Sequence, residues 1–218
     1  MEPLEKLVGL YLRLNGYFLS KYIIHSPKSG TVRGEVDWLA FKGAHHSQSH
    51  VGDSGCDFLS LKEKHNDIII CEVKSSASSD FNKSLKSTEN IKDILSWIGV
   101  VSDRDIDSLA EKVSKLVSRD VDKIEAQLGI VYQNYVFRPL LAIGVDSDRD
   151  FEKRWRLNTG IIFNFIKKRL ATENHIPSCS RNYGASQWGD DYKDLIDWFK
   201  KNNAETINIE NFNKKFKG

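Results

Sequence analysis

The segment 67–74 reads Asp-Ile-Ile-Ile-Cys-Glu-Val-Lys, and the rest of the chain can be placed around it. An almost unbroken apolar run fills its middle, which is typical of a strand buried on both faces of a sheet. Because side chains alternate along a strand, Glu72 and Lys74 would lie on the same face. Burying a carboxylate and an ammonium is costly, so this strand end predicts a site that offers them a partner, a metal ion or water.

A second predicted strand supplies further acids. Residues 34–41 read Gly-Glu-Val-Asp-Trp-Leu-Ala-Phe. The alternation predicts that Glu35, Asp37 and Leu39 face one way and that three apolar residues face the other: Val36, Trp38 and Ala40. Two carboxylates and a lysine on adjacent strands can hold a hard divalent cation such as magnesium, which prefers oxygen ligands. A lysine beside that cation can position or activate a water molecule.

These residues resemble the motif of a known family. Asp37 together with Glu72-Val73-Lys74 is similar to the signature of the PD-(D/E)xK nuclease superfamily, which has the restriction-endonuclease-like fold. With Gly16-Tyr17-Phe18 and Glu35-Val36-Asp37, the arrangement looks most like that of uncharacterised bacterial members. The chain departs from the pattern in two ways: Val36 stands where proline would precede the aspartate, and an insertion must fill the long gap before Glu72.

The resemblance implies an α/β fold with a mixed central sheet flanked by helices. Its core order would be αβββαβ over residues 1–145, and residues 146–218 would form a C-terminal helical extension packed on the same domain. The other predicted elements follow from apolar periodicity and turn residues. Helices are predicted over 3–15, 89–98, 105–117, 160–170 and 191–201, and strands over 17–25, 31–41, 57–62, 130–132 and 136–143.

The resemblance also implies a metal site. Asp37, Glu72 and Val73 would hold Mg²⁺, for which Mn²⁺ would substitute, and Lys74 would orient or deprotonate the attacking water. Glu5 on the first helix matches the acid that the superfamily often places near the metal. The alternative for Glu5 is a solvated first-turn glutamate that is favoured by the helix dipole.

A second aspartate competes for the role of the first acid. Asp57 lies fifteen residues before Glu72, a shorter spacing that is more usual in the superfamily. A hairpin turn at 63–66 would set Asp57 directly across from Glu72. Asp37 is favoured because it lies within a better-patterned strand, and rigid strands hold ligands more accurately than loop edges.

Composition limits the possible classes. The 218 residues, 28% charged and 40% hydrophobic, are ordinary for one globular domain. A net charge of +2 means that any basic surface must be local. No apolar run approaches the ~20 residues that span a bilayer, and the N-terminus does not resemble a secretory signal. The three cysteines lack CxxC spacing, which predicts reduced thiols in the cytoplasm.

Three polar segments each have a functional and a plain interpretation. The loop 43–56 holds His45, His46, His50, Asp53 and Cys56, which could bind zinc or belong to a mobile loop. The segment 75–80 could approach a phosphate or act as a linker. Basic helix ends could form a phosphate-contacting rim or simply complement the helix dipole: Lys167, Lys168, Arg169, Lys200, Lys201, Lys214, Lys215 and Lys217.

The leading hypothesis is a metal-dependent nuclease that acts on nucleic acid, with DNA favoured over RNA. The alternative is a non-catalytic nucleic-acid-binding or assembly module on the same fold, in which four charges form salt bridges: Glu35, Asp37, Glu72 and Lys74. A phosphodiesterase for RNA or nucleotide second messengers would share all the chemistry. No membrane association is expected, and a homodimer or a partner protein is compatible with these features.

Overall fold

The computed structural model describes residues 2–26, 28, 30–48, 55–75, 80–118, 121–144, 155–170, 182, 184–202 and 204–216. Over these residues the chain forms a six-stranded mixed sheet flanked by seven α-helices. The predicted α/β class is therefore confirmed. None of the described helices is long and apolar enough to cross a membrane.

The strands are β1 Phe18–His25, β2 Val32–Lys42, β3 Asn66–Lys74, β4 Ile130–Tyr132, β5 Tyr135–Ile143 and β6 Arg156–Asn158. The helices are α1 Pro3–Leu14, α2 Thr88–Ile98, α3 Ile106–Leu116, α4 Lys123–Leu128, α5 Thr159–Leu170, α6 Asp190–Lys201 and α7 Ile209–Phe216. Short 3₁₀ turns lie at Asp57–Leu59, Lys83–Lys86 and Ala185–Trp188.

The strand order is β1-β2-β3-β5-β4, and β6 also pairs with β5. Strands β1, β2 and β3 form an antiparallel meander, whereas β5 runs parallel to β3. Strand β4 pairs with the beginning of β5 and β6 with its end, so both lie on the side of β5 away from β3. Helices α2, α3 and α4 provide the crossover from β3 towards β5.

Strand β3 is the centre of the sheet and is covered on both faces. None of the four residues from Ile68 to Cys71 is more than 3% exposed. Ile69 and Cys71 lie in a first core with α1, α5 and α6, and Ile68 and Ile70 lie in a second core with α2 and α3. The prediction of a strand buried on both faces is confirmed.

The sequence also explains where α1 begins, where it ends and which side of it is buried. Pro3 lies in the first turn, where its missing N–H is not needed. The helix ends where the Asn15 side chain donates to the Tyr11 carbonyl at 2.8 Å and Gly16 takes a positive φ of 86°. Apolar residues on its inner side enter the first core: Leu4, Leu7, Val8, Tyr11 and Leu14.

The predicted strand over 57–62 is wrong. Residues Asp57–Leu59 form a 3₁₀ turn, and the neighbours of β3 in the sheet are β2 and β5. The cause is tertiary packing: Phe58 stacks on Trp155, with ring centroids 5.4 Å apart, and Leu59 is buried in the first core. Helices α4 and α7 and strand β6 were not predicted from the sequence.

A buried ion pair fastens the N-terminal end of β3. Arg138 of β5 donates through Nε to Asp67 Oδ1 at 2.9 Å and through Nη2 to Oδ2. The Tyr17 hydroxyl also donates to Asp67, and Arg138 donates to the main-chain carbonyls of Leu59 at 3.0 Å and Gln127 at 3.2 Å. These hydrogen bonds offset the cost of burying the charges and tie the 57–59 turn and α4 to the sheet.

Candidate active site

The candidate site lies where β2 separates from β3. Two residues of β2, Asp37 and Trp38, lie opposite the single residue Lys21 of β1, because the flanking pairs are Ser20 with Leu39 and Tyr22 with Val36. Such an extra residue is a β-bulge, which bends a strand and re-aims its side chains. The last pair between β2 and β3 is Trp38 with Cys71. The sheet therefore opens at Asp37.

The bulge changes the alternation of β2. The sequence predicts that Val36, Trp38 and Ala40 share a face, and this prediction is wrong. Trp38 and Ala40 lie in the first core, whereas Val36 lies in the second core together with Leu39. The extra residue shifts the alternation by one position between Val36 and Leu39.

The carboxylate of Asp37 is turned towards β3. It is 8% exposed as a residue, and its Oδ2 accepts the main-chain N–H of Val73 at 2.6 Å. This bond satisfies a β3 amide beyond the end of the β2–β3 pairing. Burial raises the pKa of Asp37, and the nearby charges of Glu5 and Glu35 add to the shift, while the Val73 hydrogen bond and Lys21 oppose it.

Glu72 is more deeply enclosed. Its side chain is 2% exposed, and Oε1 accepts from Lys74 Nζ at 2.6 Å. Its other oxygen, Oε2, is buried and has no hydrogen-bond partner among the described residues. Burial raises the pKa of Glu72 to about 7, the Asp37 and Glu35 charges add to it, and Lys74 opposes it. Glu72 is thus a buried acid with one oxygen left available.

Lys74 lies at the mouth of the site. Its Nζ donates to Glu72 Oε1 and also to Asn82 Oδ1, and its side chain is 19% exposed. The main chain is fixed as well, because Gly144 N–H donates to the Lys74 carbonyl at 2.8 Å. Asn82 was not identified from the sequence, since an asparagine eight residues beyond the strand looks like an ordinary loop residue.

Glu5 lies beside the bulge and contacts two of its residues, Lys21 and Trp38. Its carboxylate forms an ion pair with Lys21 at 2.5 Å, and its main-chain carbonyl accepts the Trp38 indole N–H at 3.0 Å. Its charge contributes to the raised pKa of Asp37, so it lies within electrostatic reach of the site. The structure places Glu5 near Asp37 but gives its carboxylate a cationic partner.

The donor set fits a magnesium ion that keeps part of its water shell. Within the described parts of the chain, no group of three or more His, Cys, Asp or Glu side chains could hold a metal ion. Mg²⁺ in phosphate-processing sites is commonly held by one or two carboxylates together with waters and substrate oxygens. For such an ion Asp37 and Glu72 would supply two carboxylates, and Val73, which lacks a side-chain oxygen, would have only its main-chain carbonyl to offer.

Asp57 is not part of this constellation. Its turn is tied through the Leu59 carbonyl to Arg138, which binds Asp67. Asp67 precedes Glu72 by five residues of extended strand, or roughly 16 Å. Asp57 is in a 3₁₀ turn rather than a strand, so it cannot lie across a hairpin from Glu72.

The polar segments of the sequence give mixed results. His45 and His46 are exposed, whereas His50, Asp53 and residues 76–79 lie outside the described residues. Among the basic helix ends, Arg169 is buried with its guanidinium 5.2 Å from the Phe165 ring centroid. Lys201 and Lys214 pair with acids on their own helices. Lys217 lies outside the described residues. The two ion pairs within helices favour the interpretation that these basic residues stabilise their own helices.

Comparison with known proteins gives no relative. No protein-family model, no curated protein and no solved structure matches the chain.

Proposed function

We propose that the protein is a metal-dependent nuclease that hydrolyses phosphodiester bonds. The observation that carries this proposal is the buried Oε2 of Glu72, which has no hydrogen-bond partner among the described residues and lies beside the opening of the sheet at Asp37. A buried carboxylate without enough positive charge has a raised pKa, as Glu72 and Asp37 both have. A divalent cation between them would satisfy both groups.

The topology supports the restriction-endonuclease-like core that the resemblance implies. The chain order is one helix, three antiparallel strands and crossover helices, after which the short strand β4 precedes β5, the strand parallel to the third. Asp37 and the Glu72-Val73-Lys74 segment come from neighbouring strands of that meander. Helices α5 and α6, which belong to the proposed C-terminal extension, share the first core with α1.

In this proposal Asp37, Glu72 and the Val73 carbonyl hold Mg²⁺ or Mn²⁺. The bound cation would polarise the scissile phosphate and favour hydroxide formation near neutral pH. Lys74 orients the attacking water and offsets the negative charge that develops on the phosphate, because its ammonium lies at the partly exposed mouth. Glu5 acts indirectly, by holding Lys21 beside Asp37.

DNA is the substrate class that we infer first, with RNA second. Both contain the phosphodiester that this chemistry cleaves, and the resemblance favours DNA. The described cysteines, Cys56 and Cys71, are free thiols, which is consistent with a cytoplasmic enzyme. A dimer or a partner protein would be required if both strands of a duplex are cut together.

The direct test is to incubate the purified protein with plasmid, single-stranded DNA and RNA, with and without Mn²⁺. We expect metal-dependent cleavage by the wild type, and loss of at least about a hundredfold in Lys74→Ala, in line with the worth of a positioned proton-transfer or charge-stabilising group. Circular dichroism should show that the Lys74→Ala chain is folded. Equal cleavage by wild type and Lys74→Ala would show that the activity is a contaminant or follows another mechanism.

A matched pair of aspartate variants locates the first acid. Asp37→Asn should lose both cleavage and the rise in melting temperature that Mn²⁺ gives the wild type. Asp57→Asn should keep most of both, because Asp57 lies near the opposite end of β3. The reverse pattern would show that Asp57, and not Asp37, holds the metal.

The alternative function is a non-catalytic nucleic-acid-binding or assembly module. The 2.6 Å ion pair between Lys74 and Glu72 favours it, because a salt bridge of this kind needs no metal. The module would bind nucleic acid without cleavage, and millimolar Mg²⁺ or Mn²⁺ would leave its melting temperature unchanged.

A further inference from the structure

Asn82 occupies a capping position, where the side chain ordinarily forms a hydrogen bond within the turn that follows it. It directly precedes the 3₁₀ turn Lys83–Lys86, and an asparagine at such a position commonly accepts a main-chain N–H of the turn. Here the side chain caps none of the described N–H groups of that turn. Its Oδ1 instead accepts a hydrogen bond from the Lys74 ammonium.

The main chain of Asn82 is firmly supported. On one side Phe81 is 5% exposed and on the other Leu85 is fully buried, and both lie in the second core. The turn is also held by Asn90, whose side chain donates to the Ser84 carbonyl at 2.9 Å. Asn82 itself is exposed, but the segment that carries it is anchored on both sides. Its side-chain oxygen Oδ1 is therefore held in a fixed position as an acceptor.

The hydrogen bond to Asn82 Oδ1 restricts the positions that the Lys74 ammonium can take. Lys74 has three N–H donors, and two of them are directed to Glu72 Oε1 and Asn82 Oδ1. Without Asn82, the ammonium would be free to move over Glu72 and bind Oε2 as well. That movement would place a positive charge on the oxygen that no other group in the described parts of the chain contacts by a hydrogen bond.

We propose that Asn82 is a positioning residue that holds Lys74 on one oxygen of Glu72 and thereby leaves the other oxygen open to the metal ion. This inference rests on the proposed function. The neutral amide is suited to the task because it attracts the ammonium without adding a negative charge to a site that already holds Asp37 and Glu72.

The first test is the Mn²⁺ affinity of the purified chain, measured by calorimetry without substrate. Asn82→Ala should weaken Mn²⁺ binding about tenfold and lower kcat with little change in KM, as is usual when a residue that orients a metal site is lost. Asn82→Asp, which keeps an oxygen in the same place, should bind Mn²⁺ more tightly than Asn82→Ala does. The matched control is Lys83→Ala, which removes an exposed side chain of the same turn and should change neither value.

The outcomes separate the two proposals. If the wild type takes up no Mn²⁺ at millimolar concentration, the proposed function is overturned and the role of Asn82 falls with it. If the wild type binds Mn²⁺ and Asn82→Ala binds it equally well, the role of Asn82 alone is overturned. A purely structural asparagine would lower the melting temperature in Asn82→Ala and leave the dissociation constant unchanged.

A metal-free measurement tests the contact itself. In a double-mutant cycle of Asn82→Ala and Lys74→Ala, we expect a coupling of about tenfold in the unfolding equilibrium constant, because hydrogen bonds to charged groups are among the stronger ones. Additive effects would show that the two side chains do not interact in solution, and the inference would be overturned.

Discussion

Glu72 is the residue at which burial, charge and hydrogen bonding conflict. Its side chain is almost fully buried, one oxygen is bound by Lys74 and the other has no partner among the described residues. An acid in this state binds a proton more readily in the folded chain than in the unfolded chain, and its pKa rises from 4.5 to about 7. The protein therefore becomes less stable as this group ionises.

This conflict predicts a specific dependence on pH. Because the folded-state pKa of Glu72 is raised, its contribution to stability is complete below about pH 4.5 and is lost as the pH rises through about 7. We expect the metal-free free energy of unfolding to fall over this window by at most about 3 kcal/mol from this group. Chemical denaturation at several pH values measures it.

Glu72→Gln is the matched variant for this prediction. It keeps the shape of the side chain but cannot ionise, so the slope between pH 4.5 and 7 should become shallower, and the remaining slope should come from Asp37, whose pKa is also raised. Mn²⁺ should stabilise the wild type at pH 8 but not Glu72→Gln. Identical pH profiles in the two chains would contradict the raised pKa.

At the residue scale, part of the site could be predicted from the sequence. Asp37 and Glu72-Val73-Lys74 can be recognised in the sequence because charged residues interrupt apolar strands, and the structure brings them together. Asn82 could not be found in this way, because its contact with Lys74 depends on where the intervening segment returns. Arg138 did give a signal that was missed: a charge inside an apolar strand requires a buried partner, which is Asp67.

At the scale of elements, β2 shows how one extra residue defeats a pattern with period two. The alternation of residues 34–41 is regular in the sequence, yet Val36 and Leu39 lie in the same core. The bulge opposite Lys21 cannot be recognised from β2 alone, since it is defined by pairing with β1. The predicted strand over 57–62 failed for a related reason, since Trp155, almost a hundred residues later, decides its packing.

The β1–β2 hairpin and the turn that carries Asn82 meet at Gly34. A Cβ at this glycine would lie 2.5 Å from Ser84 Cβ, closer than real contacts allow. Gly34→Ala should therefore displace the Lys83–Lys86 turn and lower the free energy of unfolding by roughly 1–3 kcal/mol, as overpacking commonly does. Thermal denaturation and the Mn²⁺ affinity measure both effects.

Gly43→Ala is the control for this prediction. Apart from its two chain neighbours, no atom of the described residues lies within 4 Å of a Cβ built at Gly43, and its φ is not in the left-handed region, so the stability of this variant should be unchanged or slightly increased. Equal stability of Gly34→Ala and the wild type would show that the hairpin and the turn are not in close contact.

At the scale of the whole molecule, the sheet separates two structural tasks. The C-terminal end of β3 carries the candidate site, and its N-terminal end carries the Asp67–Arg138 ion pair. The pair anchors the 57–59 turn and α4. The site is contacted instead by α1 and by Asn82, which precedes the turn before α2. Changes at one end of β3 should therefore leave the other end intact.

Arg138→Leu tests this separation. Removing one member of a buried ion pair leaves the other charge uncompensated, so the free energy of unfolding should fall by roughly 3–5 kcal/mol. At a temperature where the variant is folded, its Mn²⁺ affinity should equal that of the wild type. The control is Arg104→Ala, which removes a side chain that is 90% exposed and should leave stability unchanged. A large loss of Mn²⁺ affinity in Arg138→Leu would show that the two ends are coupled.

The packing of α1 on α5 and α6 has a consequence for synthesis on the ribosome. Leu7 and Val8 are fully buried in a core completed by Ile166 and Phe199. At roughly 5–20 residues per second, the last of these partners is translated about 10–40 s after α1. Throughout that interval α1 lacks the part of its apolar cover that α5 and α6 supply, so the nascent chain exposes apolar surface until its C-terminal helices are made.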